Sequence, residues 1–208
     1  MATQGSRTRR RSAAPPRLEQ FALHGFEPKT ATHSLFLAMF PDADARKNIA
    51  AVAREIGTRH ALSGKPLPTH RLHITLLHLG DHAGVPPAIV DAAMRAAALV
   101  DFAVFDVVFG RVGCFAGGEK KPCVLLGPDR DSPLQGFQRA LCVHLAACGL
   151  GAYVKRDFTP HVTLRYVRTP LPAEGVAPVR WSVREFVLVD SLIGQTEYRI
   201  LGRWSLRG

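Results

Sequence analysis

One short pattern occurs twice in this chain. The segments Arg71-Leu72-His73-Ile74-Thr75-Leu76-Leu77-His78-Leu79-Gly80 and Phe158-Thr159-Pro160-His161-Val162-Thr163-Leu164-Arg165-Tyr166-Val167 each hold a His-x-Thr-Leu tetrad inside a brief apolar run. Runs of this length, bounded by Gly or Pro, read as strands. Side chains on a strand alternate between its faces, so His73 and Thr75 share one face and Ile74 and Leu76 the other. His161 and Thr163 stand opposite Val162 and Leu164 in the same way. The apolar face must pack on a core, which leaves each His/Thr face looking into open space. Two such strands lying side by side, or facing one another, bring two imidazoles and two hydroxyls to one site. That set suits acid–base chemistry on a phosphate, because imidazole titrates near pH ~6.5 and a hydroxyl both donates and accepts.

The 208 residues are ample for a buried core, and 47% apolar with 21% charged is ordinary for a soluble globular protein. No apolar run approaches the ~20 residues of a membrane helix, so no membrane association is expected. The formal net charge of +10 favours polyanionic partners, phosphate or nucleic acid. Part of that charge sits in the first thirty residues, where Arg7, Arg9, Arg10, Arg11, Arg17 and Lys29 outnumber Glu19 and Glu27. Residues 1–32 lack hydrophobic periodicity and are expected to form a disordered basic extension, followed by one domain over 33–208. Cys114, Cys123, Cys142 and Cys148 show no Cys-x-x-Cys or metal-finger spacing and read as reduced core thiols. The expected setting is the cytoplasm, and the expected state a monomer.

In chain order, 34–40 reads as a strand, and Pro41-Asp42 opens a helix to about 58 with Ile49, Val52, Ala53 and Ile56 on one face. A Pro/Gly-punctuated loop over 63–69 leads to the first motif strand, which Gly80-Asp81 ends. An Ala-rich helix follows over 86–100. The alternation in 102–112 predicts a strand with Phe102, Val104, Asp106 and Val108 facing one way, and 123–126 a short buried one. Ser132-Pro133 is an N-cap and N1 pair for a third helix, stopped by Gly149 and Gly151. Beyond the second motif strand, two more strands are expected over 181–190 and 195–206. Strands mixed with helices, without steady βαβ alternation, indicate α+β.

The paired tetrads resemble the signature of the two-histidine (2H) phosphoesterases, and within them the RNA 2',3'-cyclic phosphodiesterases, also known as 2'-5' RNA ligases. The similarity runs from about His33 to Leu206. It includes the Leu35-Phe36-Leu37-Ala38 strand, Pro160-His161-Val162-Thr163-Leu164, and the segment from Trp181 to Ser191. The resemblance implies two pseudo-symmetric lobes, each an antiparallel sheet backed by helices, around a central groove. It implies hydrolysis of 2',3'-cyclic phosphate ends of RNA or nucleotides to 2'-phosphates, without a metal or cofactor, with 2'-5' ligation as a reverse activity. His73 would be the proton donor and His161 the acceptor, with Thr75 and Thr163 holding the phosphate oxygens. The residues themselves do not set that polarity. A phosphodiesterase for 2'-5' oligonucleotides or a cyclic ADP-ribose phosphate is an alternative, and so is a non-catalytic RNA-end-binding module.

Five places after each motif histidine stand His78 and Tyr166, where the family commonly carries an aromatic and an arginine over the nucleobase. Here Arg165 comes one place early. Alternation would put Arg165 with His161 on the groove face and turn Tyr166 away, unless a local break reverses the order. Both stay candidates for substrate contact, as does His78. Lys120, Lys121, Lys155 and Arg156 are candidates for an RNA path. His70, His73, His78 and His82 cluster in sequence, but no Cys or carboxylate stands beside them at ligand spacing, so no metal site is expected.

Overall fold

The computed structural model describes residues 30–208 except positions 117, 129, 130 and 156. The segment up to residue 29 lies outside this range, as does Arg156. The elements are β1 (His33–Met39), α1 (Ala43–Arg59), β2 (Ile74–His82), α2 (Pro87–Ala98), β3 (Phe105–Cys114), β4 (Lys121–Leu126), α3 (Pro133–Leu145), β5 (His161–Val167), β6 (Glu174–Val183), β7 (Glu185–Leu192) and β8 (Glu197–Ser205). Their ends carry local causes. The Asp42 carboxylate accepts from the Ala45 N–H at 2.8 Å and starts α1, whose Ile49, Val52, Ala53 and Ile56 are buried as the spacing predicts. The Ser132 hydroxyl caps α3 by accepting from the Gln135 N–H. After a π-turn over Ala146–Leu150, Gly149 takes a left-handed φ of 90° and the helix stops.

The strands form one antiparallel sheet in the order β6-β3-β4-β5-β2-β1-β7-β8. It divides into two four-stranded halves with the motif strands β2 and β5 at the inner edges. One residue pair, Ile74 opposite Val162, joins the halves. This is the α+β architecture the sequence predicts. One helix crosses to the other half. The α1 helix lies between β1 and β2 in the chain yet packs on β5 and β6. The α2 and α3 helices pack on each other, α2 touches β8, and Phe137 of α3 meets Phe186 of β7 with ring centroids 5.1 Å apart.

The core runs beneath both halves. Leu35, Leu37, Ile49, Ile74, Phe137, Val162, Leu164 and Phe186 belong to a single buried cluster. On the opposite face Phe36, Ala38, Val187 and Val189 form a smaller one, with Phe40 and Tyr198 against it.

One expectation changes. The run 181–190 is not one strand, because the chain breaks at Arg184 between β6 and β7. The first pairs with β3 at one edge of the sheet, the second with β1 and β8 in the other half. One apolar run thus serves two strands, and β6 begins earlier, at Glu174. In β3 the core face is Phe105, Val107 and Phe109, while Asp106 is exposed beside the Ser182 hydroxyl that donates to it.

Candidate active site

Both motif strands carry the same irregularity at the same place. Along β2, Ala38 pairs with Thr75 but Leu37 pairs with Leu77, so Leu76 is an extra residue. Along β5, Val124 pairs with Thr163 but Cys123 pairs with Arg165, so Leu164 is the extra residue. Each is a β-bulge immediately after the motif threonine, and a bulge reverses the alternation beyond it. Leu76 and Leu77 both point to the core, and so do Leu164 and Arg165. His78 and Tyr166 therefore return to the outer face that carries the histidines and threonines. This is the local break that alternation alone does not supply.

Arg165 accordingly lies behind the sheet, 5% exposed. Its guanidinium donates to the Ala53 carbonyl of α1 and to the Gly64 carbonyl at 3.3 Å. The loop after α1 is fixed to β5 a second time by the Leu67 N–H donating to the Leu164 carbonyl at 2.8 Å. Gly64, at φ 86°, passes so close to the Tyr166 carbonyl that a side chain there would collide with it. The buried arginine thus holds the loop that forms one wall of the site.

The two imidazoles are held alike. His73 Nδ1–H donates to the Arg71 carbonyl at 2.7 Å, and His161 Nδ1–H donates to the Thr159 carbonyl at 2.8 Å. A carbonyl only accepts, so each neutral ring carries its proton on Nδ1 and leaves Nε2 for chemistry. At His73 that nitrogen is 3.1 Å from the Thr75 hydroxyl, which donates to it in the neutral state. The His73 ring stacks on Phe36 with centroids 5.0 Å apart and meets the edge of Tyr198 at 5.6 Å. The His161 ring meets Phe115 edge-on at 4.8 Å. Burial pushes the His73 pKa down to about 4, against the pull of the Arg71 carbonyl; the Arg71 guanidinium and His161 lower it further. Burial also lowers His161, opposed by the Thr159 carbonyl. Both rings are neutral at pH 7 in the free protein.

His73, Thr75, His161 and Thr163 line one cavity of about 520 Å³. Its walls add Lys65, Arg71, Tyr166 and Tyr198, and no carboxylate is among its described lining residues. The chemistry available there is proton transfer by two imidazoles beside an anion held by two cations and two hydroxyls. Lys65, Arg71 and Tyr198 escape sequence reasoning, since a lone Tyr in β8 and a Lys in a loop give no pattern. His78 is on the correct face but outside this cavity, its Nε2 3.0 Å from the Ser34 hydroxyl and 3.1 Å from Asp81. Lys120, Lys121 and Lys155 do not line it either. The four clustered histidines disperse: His70 lies in a 3-10 turn, Thr69–Arg71, and His82 bonds the Leu79 carbonyl. Among the described residues no three His, Cys, Asp or Glu side chains gather closely enough to hold a metal ion. The four cysteines are unpaired thiols, with Cys123 and Cys142 buried. No described helix is long and apolar enough to cross a membrane.

Two half-sheets that each deliver a His-x-Thr strand to a shared cavity define the two-histidine phosphoesterase class. Comparison with known proteins agrees. The profile of the 2'-5' RNA ligase superfamily matches residues 40–193. The RNA 2',3'-cyclic phosphodiesterase of Thermus thermophilus is 31% identical over 195 residues, spanning 84% of this chain and 90% of that protein. Among solved structures, TT0787 of Thermus thermophilus has a TM-score of 0.63 at 25% identity, covering 84% of this chain and 98% of that one. Escherichia coli LigT complexed with 3'-AMP has a TM-score of 0.64 at 23% identity, covering 86% of this chain and all of the other. The chain belongs to the 2'-5' RNA ligase superfamily and is a phosphoesterase of the two-histidine class.

Proposed function

We propose that this protein hydrolyses 2',3'-cyclic phosphate ends of RNA or nucleotides to 2'-phosphates, with no metal in the mechanism. The observation that carries the reading is the pair of Nδ1-anchored imidazoles sharing one cavity with two hydroxyls and two cations. The similarity to a relative named RNA 2',3'-cyclic phosphodiesterase supports it. So does the 3'-AMP bound by Escherichia coli LigT, whose size suits a cavity of about 520 Å³.

His161 Nε2 takes a proton from water as the water oxygen attacks phosphorus. The bond from phosphorus to the ribose 3' oxygen breaks, and His73 Nε2–H protonates that oxygen. The Thr75 and Thr163 hydroxyls donate to the non-bridging oxygens, where charge accumulates in the pentacoordinate state. Lys65 and Arg71 hold the phosphate in register. A donor must be charged, yet His73 is neutral in the free site. The anionic substrate resolves this, because a phosphate beside a buried imidazole favours its protonated form. The polarity follows the family resemblance: in the free site the deeper depression at His73 leaves the first proton on His161, and the bound phosphate has to favour His73. A ribose 5'-hydroxyl in place of water gives a 2'-5' linkage, and reversal of that step exchanges the two roles. Tyr166, 52% exposed at the cavity wall, offers its ring to the nucleobase.

The test is a substrate panel of 2',3'-cyclic-phosphate oligoribonucleotide, 2',3'-cyclic mononucleotide and 2'-5' linked oligonucleotide, with product identification. The reading requires 2'-phosphate from the cyclic substrates at the higher kcat/KM. Exclusive cleavage of the 2'-5' linkage, or binding without turnover, rejects it.

A further inference from the structure

A second cavity, of about 510 Å³, adjoins the catalytic one across a single side chain. Tyr198 lines both. Beyond Tyr198 the walls are Phe40, Arg46, His70, Ile200 and Arg203, closed by the hairpin turn at 195–197. The aromatic surface is continuous from the catalytic ring into this space. The His73 and Tyr198 centroids are 5.6 Å apart, His73 and Phe40 5.9 Å, and Phe40 and Tyr198 6.3 Å. Ile200 extends the apolar floor and remains 42% exposed.

The charge on these walls is unbalanced. Arg203 is paired with Glu185, and Glu197 with Arg199. Arg46 and Arg71 have no carboxylate partner among the described residues. Each lies over an aromatic ring, Arg46 over Phe40 at 5.8 Å and Arg71 over Tyr198 at 4.8 Å, and each has a buried Nε without an acceptor among the described residues. Arg71 donates to the Tyr198 hydroxyl at 3.2 Å, which leaves the Arg46 guanidinium as the charge lining this cavity without a carboxylate; paired aromatic faces beside it suit a nucleotide, whose base stacks and whose phosphate takes charge-assisted bonds. The groove on the other side of the site, near Thr159 and Pro160, lacks this character. Among its described lining residues Arg111 and Arg139 are offset by Asp131 and Asp157, and Phe158 is the one aromatic.

We infer that the cavity beyond Tyr198 binds the nucleotide preceding the cyclic phosphate, its base against Phe40, Tyr198 and Ile200 and its phosphodiester on Arg46. The inference rests on the cyclic-phosphodiesterase reading and narrows it: the preferred substrate is an RNA end and not a mononucleotide. Stacking of one base corresponds to roughly 5- to 150-fold in kcat/KM.

The test compares a 2',3'-cyclic mononucleotide with a trinucleotide ending in 2',3'-cyclic phosphate, for the native chain, Arg46→Ala and Ile200→Glu. Both substitutions lie at partly exposed positions, and Ile200→Glu sets a negative charge where the base and phosphate come to rest. The trinucleotide should be preferred by the native chain, and the preference should fall about tenfold in each variant. A native chain without preference, or one that both variants leave unchanged, overturns the subsite. Absence of turnover on both substrates defeats the cyclic-phosphodiesterase reading, and binding then decides the subsite alone. Fluorescence anisotropy with a labelled trinucleotide 3'-phosphate should show weaker binding in both variants. Equal binding in all three proteins overturns it.

Discussion

Ile74 lies opposite Val162, and this one antiparallel pair joins the two halves of the sheet. Each residue sits between the His and Thr of its tetrad. The antiparallel sense therefore sets His73 toward Thr163 and His161 toward Thr75, so each imidazole has a hydroxyl from the other half at its side. Both residues are fully buried. The geometry of the candidate site between the halves thus depends on packing at a point of minimal backbone pairing.

Ile74→Ala should lower stability by about 2–5 kcal/mol, the range for truncating a buried aliphatic side chain. It should also lower kcat more than it raises KM, since misplacing two histidines relative to each other costs alignment and not binding. Denaturant titration with steady-state kinetics below the transition checks this. A variant that loses stability with kcat intact would show that the halves are held in register elsewhere.

The neighbours Arg165 and Tyr166 should separate fold from function. Arg165→Ala leaves the Ala53 and Gly64 carbonyls without their donor, at about 1–3 kcal/mol for each buried group. Thermal unfolding should occur well below that of the native chain. Tyr166→Ala, at an exposed position, should leave unfolding within about ±0.5 kcal/mol and raise KM instead. The reverse pattern would place the guanidinium in the substrate path.

Much of this was legible in the sequence. The duplicated His-x-Thr-Leu pointed to the candidate site, and capping by Asp42 and Ser132 located two helix starts. What alternation missed is the extra residue after each threonine. At Leu76-Leu77 two adjacent apolar residues are a trace of it, but at Leu164-Arg165 the charge conceals it, because a buried guanidinium reads as exposed until its carbonyl partners are seen. Tyr198 reaches the site only through the pairing of β8 with β7, which no local pattern encodes. The break at Arg184 was hidden for a related reason. Both strands flanking it bury apolar residues, so the run stays hydrophobic while its pairing partners change.

The depressed histidines set the sign of the pH dependence. The proposed mechanism requires one charged and one neutral imidazole, and kcat/KM reports the free protein. With His73 near 4 and His161 below its ordinary value, the singly charged form declines as pH rises through neutrality. Log kcat/KM should therefore fall with rising pH from about 6.5 to 8. The bound phosphate raises the imidazole pKa, so the decline in kcat should begin at higher pH. The apparent values belong to the coupled pair. A kcat/KM that climbs through this range and levels off would mean that no imidazolium takes part.

In the proposed reaction two histidines open a cyclic phosphate without a metal. Its most direct measurement follows a 2',3'-cyclic-phosphate oligoribonucleotide in excess chelator by phosphorus NMR, with the native chain, His73→Ala and His161→Ala in parallel. The native chain should convert the cyclic signal to that of a 2'-monoester. Each variant should fold as the native chain does and be slower by roughly 10²–10⁴. An unchanged cyclic signal with the native chain, conversion that appears only on adding a divalent ion, or a variant keeping more than about a tenth of the native rate would contradict it.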